Sequence, residues 1–119
     1  MTPQPVPGVT QADIHRVVRR DFAEREQAAA LAVLEAYGSE DHEPEVVRVR
    51  LAALKLSGGS LAGLRRQIGW AKMDVRDTIG PAEYPEAMRR SSLLQLEENE
   101  RKRIYDSEWQ QYREWLGRE

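Results

Sequence analysis

The most regular apolar pattern in the chain lies between residues 60 and 85. Apolar residues recur there at steps of three and four, the spacing that places side chains on one face of an α-helix. Ser60 is a good N-cap, and Gly80-Pro81 is a sequence that ends helices. We therefore predict a central helix over residues 60–79 with a stripe that faces the core. The stripe consists of Leu61, Leu64, Ile68, Ala71 and Val75.

A second apolar stripe predicts a helix over residues 11–37, which begins after the N-cap Thr10 and ends before Gly38. Its weak point is the segment of residues 23–27, AEREQ, because this sequence offers little to bury. Neither proline nor glycine forces a break there, so we expect one long helix.

The segment of residues 45–57 is ambiguous in its pattern. Residues 47–51 alternate between apolar residues and arginine as a strand does, whereas Ala52-Ala53-Leu54 strongly favours helix. An unpaired strand leaves its backbone groups unsatisfied, and the sequence offers no convincing second strand. We therefore predict a helix over residues 45–57.

The C-terminal part predicts a helix over residues 92–116. Its apolar stripe consists of Leu93, Leu96, Tyr105, Trp109, Tyr112 and Leu116. An alternative is a separate last helix after Asp106, because Ser107 and Gln110 fit a capping box.

The first nine residues contain Pro3, Pro5 and Pro7, which are incompatible with a regular helix. We predict a flexible tail over residues 1–9 and a single helical domain over residues 10–119. The fold class is all-α, a small irregular bundle of about four helices.

Composition and charge favour no particular partner. The formal net charge is −2, which excludes the global basicity of a dedicated nucleic-acid-binding protein. The chain has no cysteine, so disulfides and cysteine-ligated zinc are excluded. There is no basic-then-apolar leader and no run of about 18 apolar residues. We therefore expect a cytoplasmic location and no membrane insertion.

Opposed charges gather near the end of the central helix. Asp74 and Asp77 are one turn apart, and Glu83 and Tyr84 follow the predicted stop at Gly80-Pro81. The carboxylates could bind a ligand, act as acid and base, or form structural ion pairs, and ion pairs are the commoner arrangement. Arg48, Arg50 and Arg76 are the candidate partners.

Metal and cofactor chemistry finds no support in the sequence. His15 and His42 have no nucleophile or second ligand at a readable spacing. We therefore predict neither a metal site nor a cofactor.

Clustered arginines and one tryptophan supply further candidates for binding. If several basic clusters faced one way, they would form a phosphate-binding strip, although interleaved carboxylates favour faces that neutralise themselves. The candidate phosphate contacts are Arg16, Arg19, Arg20, Arg65 and Arg66. Trp115 is one step off Leu116 and could stay partly exposed as a protein contact, but a C-terminal helix that packs back onto the bundle is the favoured alternative.

Several segments resemble a set of short uncharacterised bacterial proteins. They are VRLAALKLSGGSL, AKMDVRD, AEYP and the terminal YDSEWQQYREWL. The resemblance covers under half of the chain and brings no site residue with it. It implies a bacterial, cytoplasmic origin.

Three functions remain open on the sequence. The leading hypothesis is a non-catalytic interaction module whose partner is another protein or a second copy of the chain. The alternative is a nucleic-acid-associated protein that uses its arginine-rich helix faces. The third is an enzyme in which Asp74, Asp77 and Glu83 act as acid, base or ligands.

Overall fold

The structure, a computed structural model, describes residues 8–89 and 97–118, and every regular element within these two ranges is a helix. The prediction of an all-α fold is confirmed, but the described residues form seven helices rather than about four. These are α1 (Gln11–Asp21), α2 (Glu24–Glu35), α3 (Val46–Ser57), α4 (Leu61–Met73), α5 (Arg76–Glu83), α6 (Pro85–Arg89) and α7 (Glu98–Leu116). Most of the predicted tail and the predicted helix start at residues 92–96 lie outside the described residues.

The prediction of one long helix over residues 11–37 is wrong. The chain breaks at Phe22, whose backbone is extended with φ −114° and ψ 141°, and a new helix begins at Glu24. The Phe22 ring is buried in the core. The backbone carbonyl of Phe22 accepts a hydrogen bond from Gln27 Nε2 at 3.2 Å. A straight helix would have carried the polar segment of residues 23–27 past the core, whereas the break lets α1 and α2 both pack.

The prediction of one helix over residues 60–79 is also wrong. The chain leaves the helix at Asp74, which is extended, and resumes helix at Arg76. Gly80 and Pro81 lie inside α5 rather than ending it, because the short helix continues to Glu83. The N–H of Tyr84 donates to the carbonyl of Gly80 at 2.8 Å and closes the helix end.

The predicted core stripe of α4 does face inward. Leu64, Ile68 and Ala71 are buried, and Leu61 and Val75 pack at the edge of the same core. This side of α4 is therefore fixed against the rest of the molecule.

Helix α3 is the centre of the fold. It packs against α1, α4 and α5 and buries residues on several of its faces. A helix surrounded by others carries apolar residues on several faces, and the two arginines of the alternating segment, Arg48 and Arg50, are half-buried and donate to Glu83 and to the carbonyl of Tyr37. The buried apolar residues of α3 are Val49, Leu51, Ala52, Ala53 and Leu54.

Helix α7 runs without interruption from Glu98 to Leu116, so the alternative of a separate helix capped by Ser107 is wrong. Tyr112 and Trp115 are both buried, and their ring centroids lie 5.5 Å apart. Trp115 also joins the core, which agrees with the favoured alternative of a C-terminal helix packed onto the bundle and not with an exposed protein contact. α7 is held to the bundle through these two rings.

Candidate functional site

The charged corner after α4 is built around an ion pair between Arg48 and Glu83. Arg48 lies on α3, and its Nε and Nη2 donate to the two carboxylate oxygens of Glu83 at 2.8 and 2.7 Å. Glu83 is buried at the end of α5. The hydrogen bonds that Arg48 donates to Glu83 are the main reason why the pKa of Arg48 is raised. Glu83 is therefore fully engaged with an arginine.

Asp74 and Asp77 do not form a pair on one helix, because the chain breaks between them. Asp74 caps the break and accepts hydrogen bonds from the backbone N–H of Arg76 at 3.0 Å and from its Nη2 at 2.8 Å. Asp77 lies in the first turn of α5, where its charge is favourable, rather than near a helix C-terminus as predicted. The two carboxylates thus occupy different local environments.

Arg50 and Tyr84, the other candidates at this corner, have backbone roles. Arg50 Nε on α3 donates to the carbonyl of Tyr37 at 3.0 Å. This hydrogen bond ties the turn after α2 to α3. Tyr84 is half-buried and follows the last residue of α5. Tyr84 packs against the core, and neither side chain forms a hydrogen bond with Asp74 among the described residues.

A second ion pair, which the sequence did not reveal, closes the loop after α2. The buried carboxylate of Glu43 accepts hydrogen bonds from the N–H groups of Gly38 and Glu40 at 2.9 and 3.1 Å. Lys72 Nζ on α4 donates to the same carboxylate at 3.0 Å and to the carbonyl of Ala36 at 2.9 Å. The loop sequence GSEDHE looks like an ordinary polar loop, so no sequence signal singled out Glu43.

Two of the five candidate phosphate contacts are occupied by the C-terminal end of α7. Arg20 Nη1 donates to the carbonyls of Trp115 and Arg118 at 2.7 and 2.8 Å, and Arg16 Nη1 donates to the carbonyl of Arg118 at 3.4 Å. Arg20 also lies over the Trp115 ring, 5.3 Å from its centroid. These arginines dock α7 onto α1.

The other three candidate phosphate contacts are exposed. Arg19 lies on α1, and Arg65 and Arg66 are consecutive residues of α4, about 100° apart around the helix axis. None of the three forms an ion pair with another described residue. Arg65 and Arg66 are therefore available to a partner.

The outer side of α4 carries an apolar patch that the sequence analysis missed. Among the described residues, Trp70 and Met73 are the large apolar side chains left exposed, with 47% and 85% of their surface accessible. They lie one turn apart, opposite the core stripe. We call this surface the Trp70 face. Its residues are Ala62, Arg66, Gly69, Trp70 and Met73, all of them exposed. The helical period could have shown it, since these residues fall between the stripe positions.

Beside Met73 the Trp70 face borders a small cleft. The cleft has a volume of about 170 Å³, and Tyr37, Pro44 and Val75 contribute to its walls. A protruding apolar pair beside a shallow cleft is the kind of relief into which a partner side chain can fit.

Comparison with known proteins gives no match. Neither a family model, nor a curated protein, nor a solved structure is similar to this chain. No relative therefore supplies a site residue or a ligand, and the side-chain arrangement alone supports a function.

Metal coordination and membrane spanning find no basis in residues 8–89 and 97–118. No group of three or more histidine and acidic residues in these ranges is placed to hold a metal ion. None of the helices that the structure describes is both long enough and apolar enough to cross a bilayer. The Trp70 face is therefore the leading candidate surface.

Proposed function

We propose that this protein is a non-catalytic protein-interaction module and that the Trp70 face is its binding surface. The observation that carries the proposal is the exposure of Trp70 and Met73 on one side of α4. Tryptophan and methionine are enriched in protein interfaces, and a solvated tryptophan leaves a large apolar area in water. A bacterial cytoplasmic location is part of the same proposal, since the chain has no cysteine and resembles bacterial proteins.

The charge of α4 favours an acidic partner. Its sequence, LAGLRRQIGWAKM, contains three basic residues and no carboxylate. Lys72 is neutralised by Glu43, which leaves Arg65 and Arg66 to act on a partner. A second copy packed face to face would set arginines against arginines, and like charges oppose each other across an interface. We therefore propose an amphipathic protein segment with apolar anchors flanked by Asp or Glu.

Gly69 gives further support. A glycine within a helix costs about 1 kcal/mol relative to alanine, and close packing is the usual compensation. A Cβ built at Gly69 meets no atom within 4 Å, so nothing in the described residues requires a glycine there. A partner backbone that approaches α4 closely beside Trp70 would supply the reason.

Quantitative affinity purification from the producing cell tests the proposal. The bait is the full chain, compared with the double variant Trp70→Ser/Met73→Ser and with Arg113→Gln, an exposed control on α7. We expect a protein that both the unmodified chain and the control retain and that the double variant loses. Recovery of no reproducible partner, or equal recovery by all three baits, would count against the module.

Nucleic-acid association is the alternative function, and the proximity of Trp70 to Arg66 favours it. Single-stranded bases stack on tryptophan while arginine contacts phosphate. Arg16 and Arg20 contribute less, because both already donate to carbonyls of α7. Anisotropy of a labelled single-stranded oligonucleotide tests this function. Affinity should fall steeply with salt, and no binding at low salt removes the alternative.

A carboxylate-based enzyme is the third hypothesis. The pairing of Asp74 with Arg76 and of Glu83 with Arg48 counts against it, since both carboxylates already have a cationic partner. Structural ion pairs account for the positions of these carboxylates without a catalytic role.

A further inference from the structure

A second cleft lies away from the Trp70 face, where the C-terminal ends of α1, α3 and α7 meet. Its volume is about 550 Å³, within the range of small-molecule sites. We call it the basic cleft. Its lining residues are Arg20, Asp21, Lys55, Gly58, Trp115 and Arg118.

The charges of the basic cleft do not cancel. Arg20 and Asp21 neutralise each other through two hydrogen bonds at 2.7 and 3.0 Å. Lys55 and Arg118 remain, and neither forms an ion pair with a described residue. The lining therefore has three basic side chains and one carboxylate, and the carboxylates of Glu108 and Glu83 also act on Lys55 from outside the lining.

Lys55 is held in place with donor capacity to spare. Its Nζ donates to the carbonyl of Ala82 at 2.6 Å and lies 5.9 Å from the centroid of the Tyr112 ring. An ammonium group has three N–H donors, so two are available to a ligand. Burial, more than any other effect, lowers the pKa of Lys55. The charge of Arg118 lowers it further, whereas the carboxylates of Glu108 and Glu83 act in the opposite direction. A bound anion would offset the free-energy cost of burying the Lys55 charge.

The wall of the cleft suits a ligand that is larger than a simple ion. Trp115 is one of the lining residues, and Arg20 lies over its ring. Gly58, in the left-handed conformation with φ 63°, adds no side chain to narrow the space. An organic group attached to an anion could lie between Trp115 and Gly58.

We propose that the basic cleft binds a phosphate monoester, whose phosphate is held by Lys55 and Arg118 and whose organic group contacts Trp115. A phosphate monoester carries between about −1.5 and −2 charges near pH 7 and offers three strong acceptor oxygens. A carboxylate brings one charge and would leave one of the two cations unanswered. The site is separate from the Trp70 face, so either proposal can fail without the other.

Amide NMR titrations with phenyl phosphate, inorganic phosphate and phenol test the proposal. We expect saturable shifts at residues 20–21, 55–58 and 115–118 with phenyl phosphate, weaker binding of inorganic phosphate, and no binding of phenol at these residues. Saturation of the same residues by phenol would overturn the role of the cations. No saturable shift with phenyl phosphate at millimolar concentration would overturn the site.

Two variants and one control identify the cations. Arg118→Gln and Lys55→Met should each weaken phenyl phosphate binding about tenfold, or about 1.4 kcal/mol. Arg113→Gln, which is exposed elsewhere on α7, should leave it unchanged. Because Lys55→Met also removes the bond to Ala82 and can destabilise the fold, the exposed Arg118 provides the decisive result. Unchanged affinity in Arg118→Gln would contradict the proposal.

Discussion

Arg48 and Glu83 form a two-point ion pair that joins the central helix α3 to the end of α5. Both nitrogen–oxygen distances, 2.8 and 2.7 Å, are those of charge-assisted hydrogen bonds. The Glu83 side chain is 5% exposed and that of Arg48 16% exposed, so both charges have lost most of their water. The pair fixes the position of α5 and thereby the corner that follows α4.

Removing one member of this pair should destabilise the fold strongly. Glu83→Gln leaves the largely buried Arg48 charge with only the exposed Glu45, 3.9 Å away, as a countercharge, and we expect a loss of about 3 kcal/mol in the free energy of unfolding. Replacing both residues with methionine removes the buried charges together and should cost clearly less than the single change. Urea denaturation measures both. A double variant as unstable as Glu83→Gln would contradict the interpretation of the pair.

Glu43 should contribute to loss of stability in acid. The hydrogen bond from Lys72 is the main cause that lowers the pKa of Glu43 below its ordinary 4.5, and the N–H groups of Gly38 and Glu40 lower it further against the effect of burial. A carboxyl group with a lower pKa in the folded state stabilises the fold above its unfolded value, and this contribution is lost as the pH falls through the folded value.

The measurement for Glu43 is the free energy of unfolding as a function of pH. Glu43→Gln should be less stable than the unmodified chain at neutral pH and should show a flatter decline below about pH 4.5. Glu35→Gln, an exposed change at the end of α2, serves as the control. Parallel curves for Glu43→Gln and the unmodified chain would remove Glu43 from the acid response.

Gly69 and Gly63, both on α4, should respond in opposite directions to alanine. At Gly69 the added Cβ meets open space, so Gly69→Ala should raise the free energy of unfolding by about 0.5–1 kcal/mol. At Gly63 the Cβ would lie 2.9 Å from the carbonyl oxygen of Ser57, so Gly63→Ala should destabilise. Thermal and urea denaturation of both variants tests this prediction. Destabilisation by Gly69→Ala would show that the glycine serves the fold rather than a partner.

Tyr112 and Tyr37 offer a matched pair of hydroxyl deletions. The buried Tyr112 hydroxyl has no hydrogen-bond partner among the described residues, and burial raises its pKa. Tyr112→Phe should therefore leave stability unchanged or improve it by up to about 1 kcal/mol. Tyr37→Phe loses the hydrogen bond to the carbonyl of Pro44 at 2.7 Å and should cost about 1 kcal/mol. Equal losses in the two variants would argue for a hidden partner of Tyr112.

The sequence predicted the helical class and the inward stripe of α4 because both follow from local periodicity. It failed at Phe22 and Asp74, where the chain breaks without any glycine or proline. These breaks depend on which helix packs where, since Phe22 becomes extended to bury its ring in a core that other helices build. Pro81 shows the reverse error, because a proline late in a short helix does not have to end it.

The candidate site residues likewise divide into those whose partners are local in sequence and those whose partners depend on how the helices pack. Partners close in sequence, such as Asp74 and Arg76, can be anticipated. The sequence named Arg48 among the candidate partners but could not assign it to Glu83, which is 35 positions away. The sequence favoured a C-terminal helix packed onto the bundle, and Trp115 is buried there, but nothing in the sequence indicated that Arg20 would lie over its ring. Trp70, opposite the α4 stripe, was within reach of the sequence.

The most direct test of the Trp70 face is site-specific photo-crosslinking in the living cell. A photoreactive phenylalanine replaces Trp70, Met73 or, as a control on α7, Arg113. We predict adducts to one protein from positions 70 and 73 but not from 113, with mass spectrometry placing the adduct in a segment of apolar residues flanked by Asp or Glu. Absence of adducts at positions 70 and 73, or equal adducts at all three positions, would contradict the proposed binding surface.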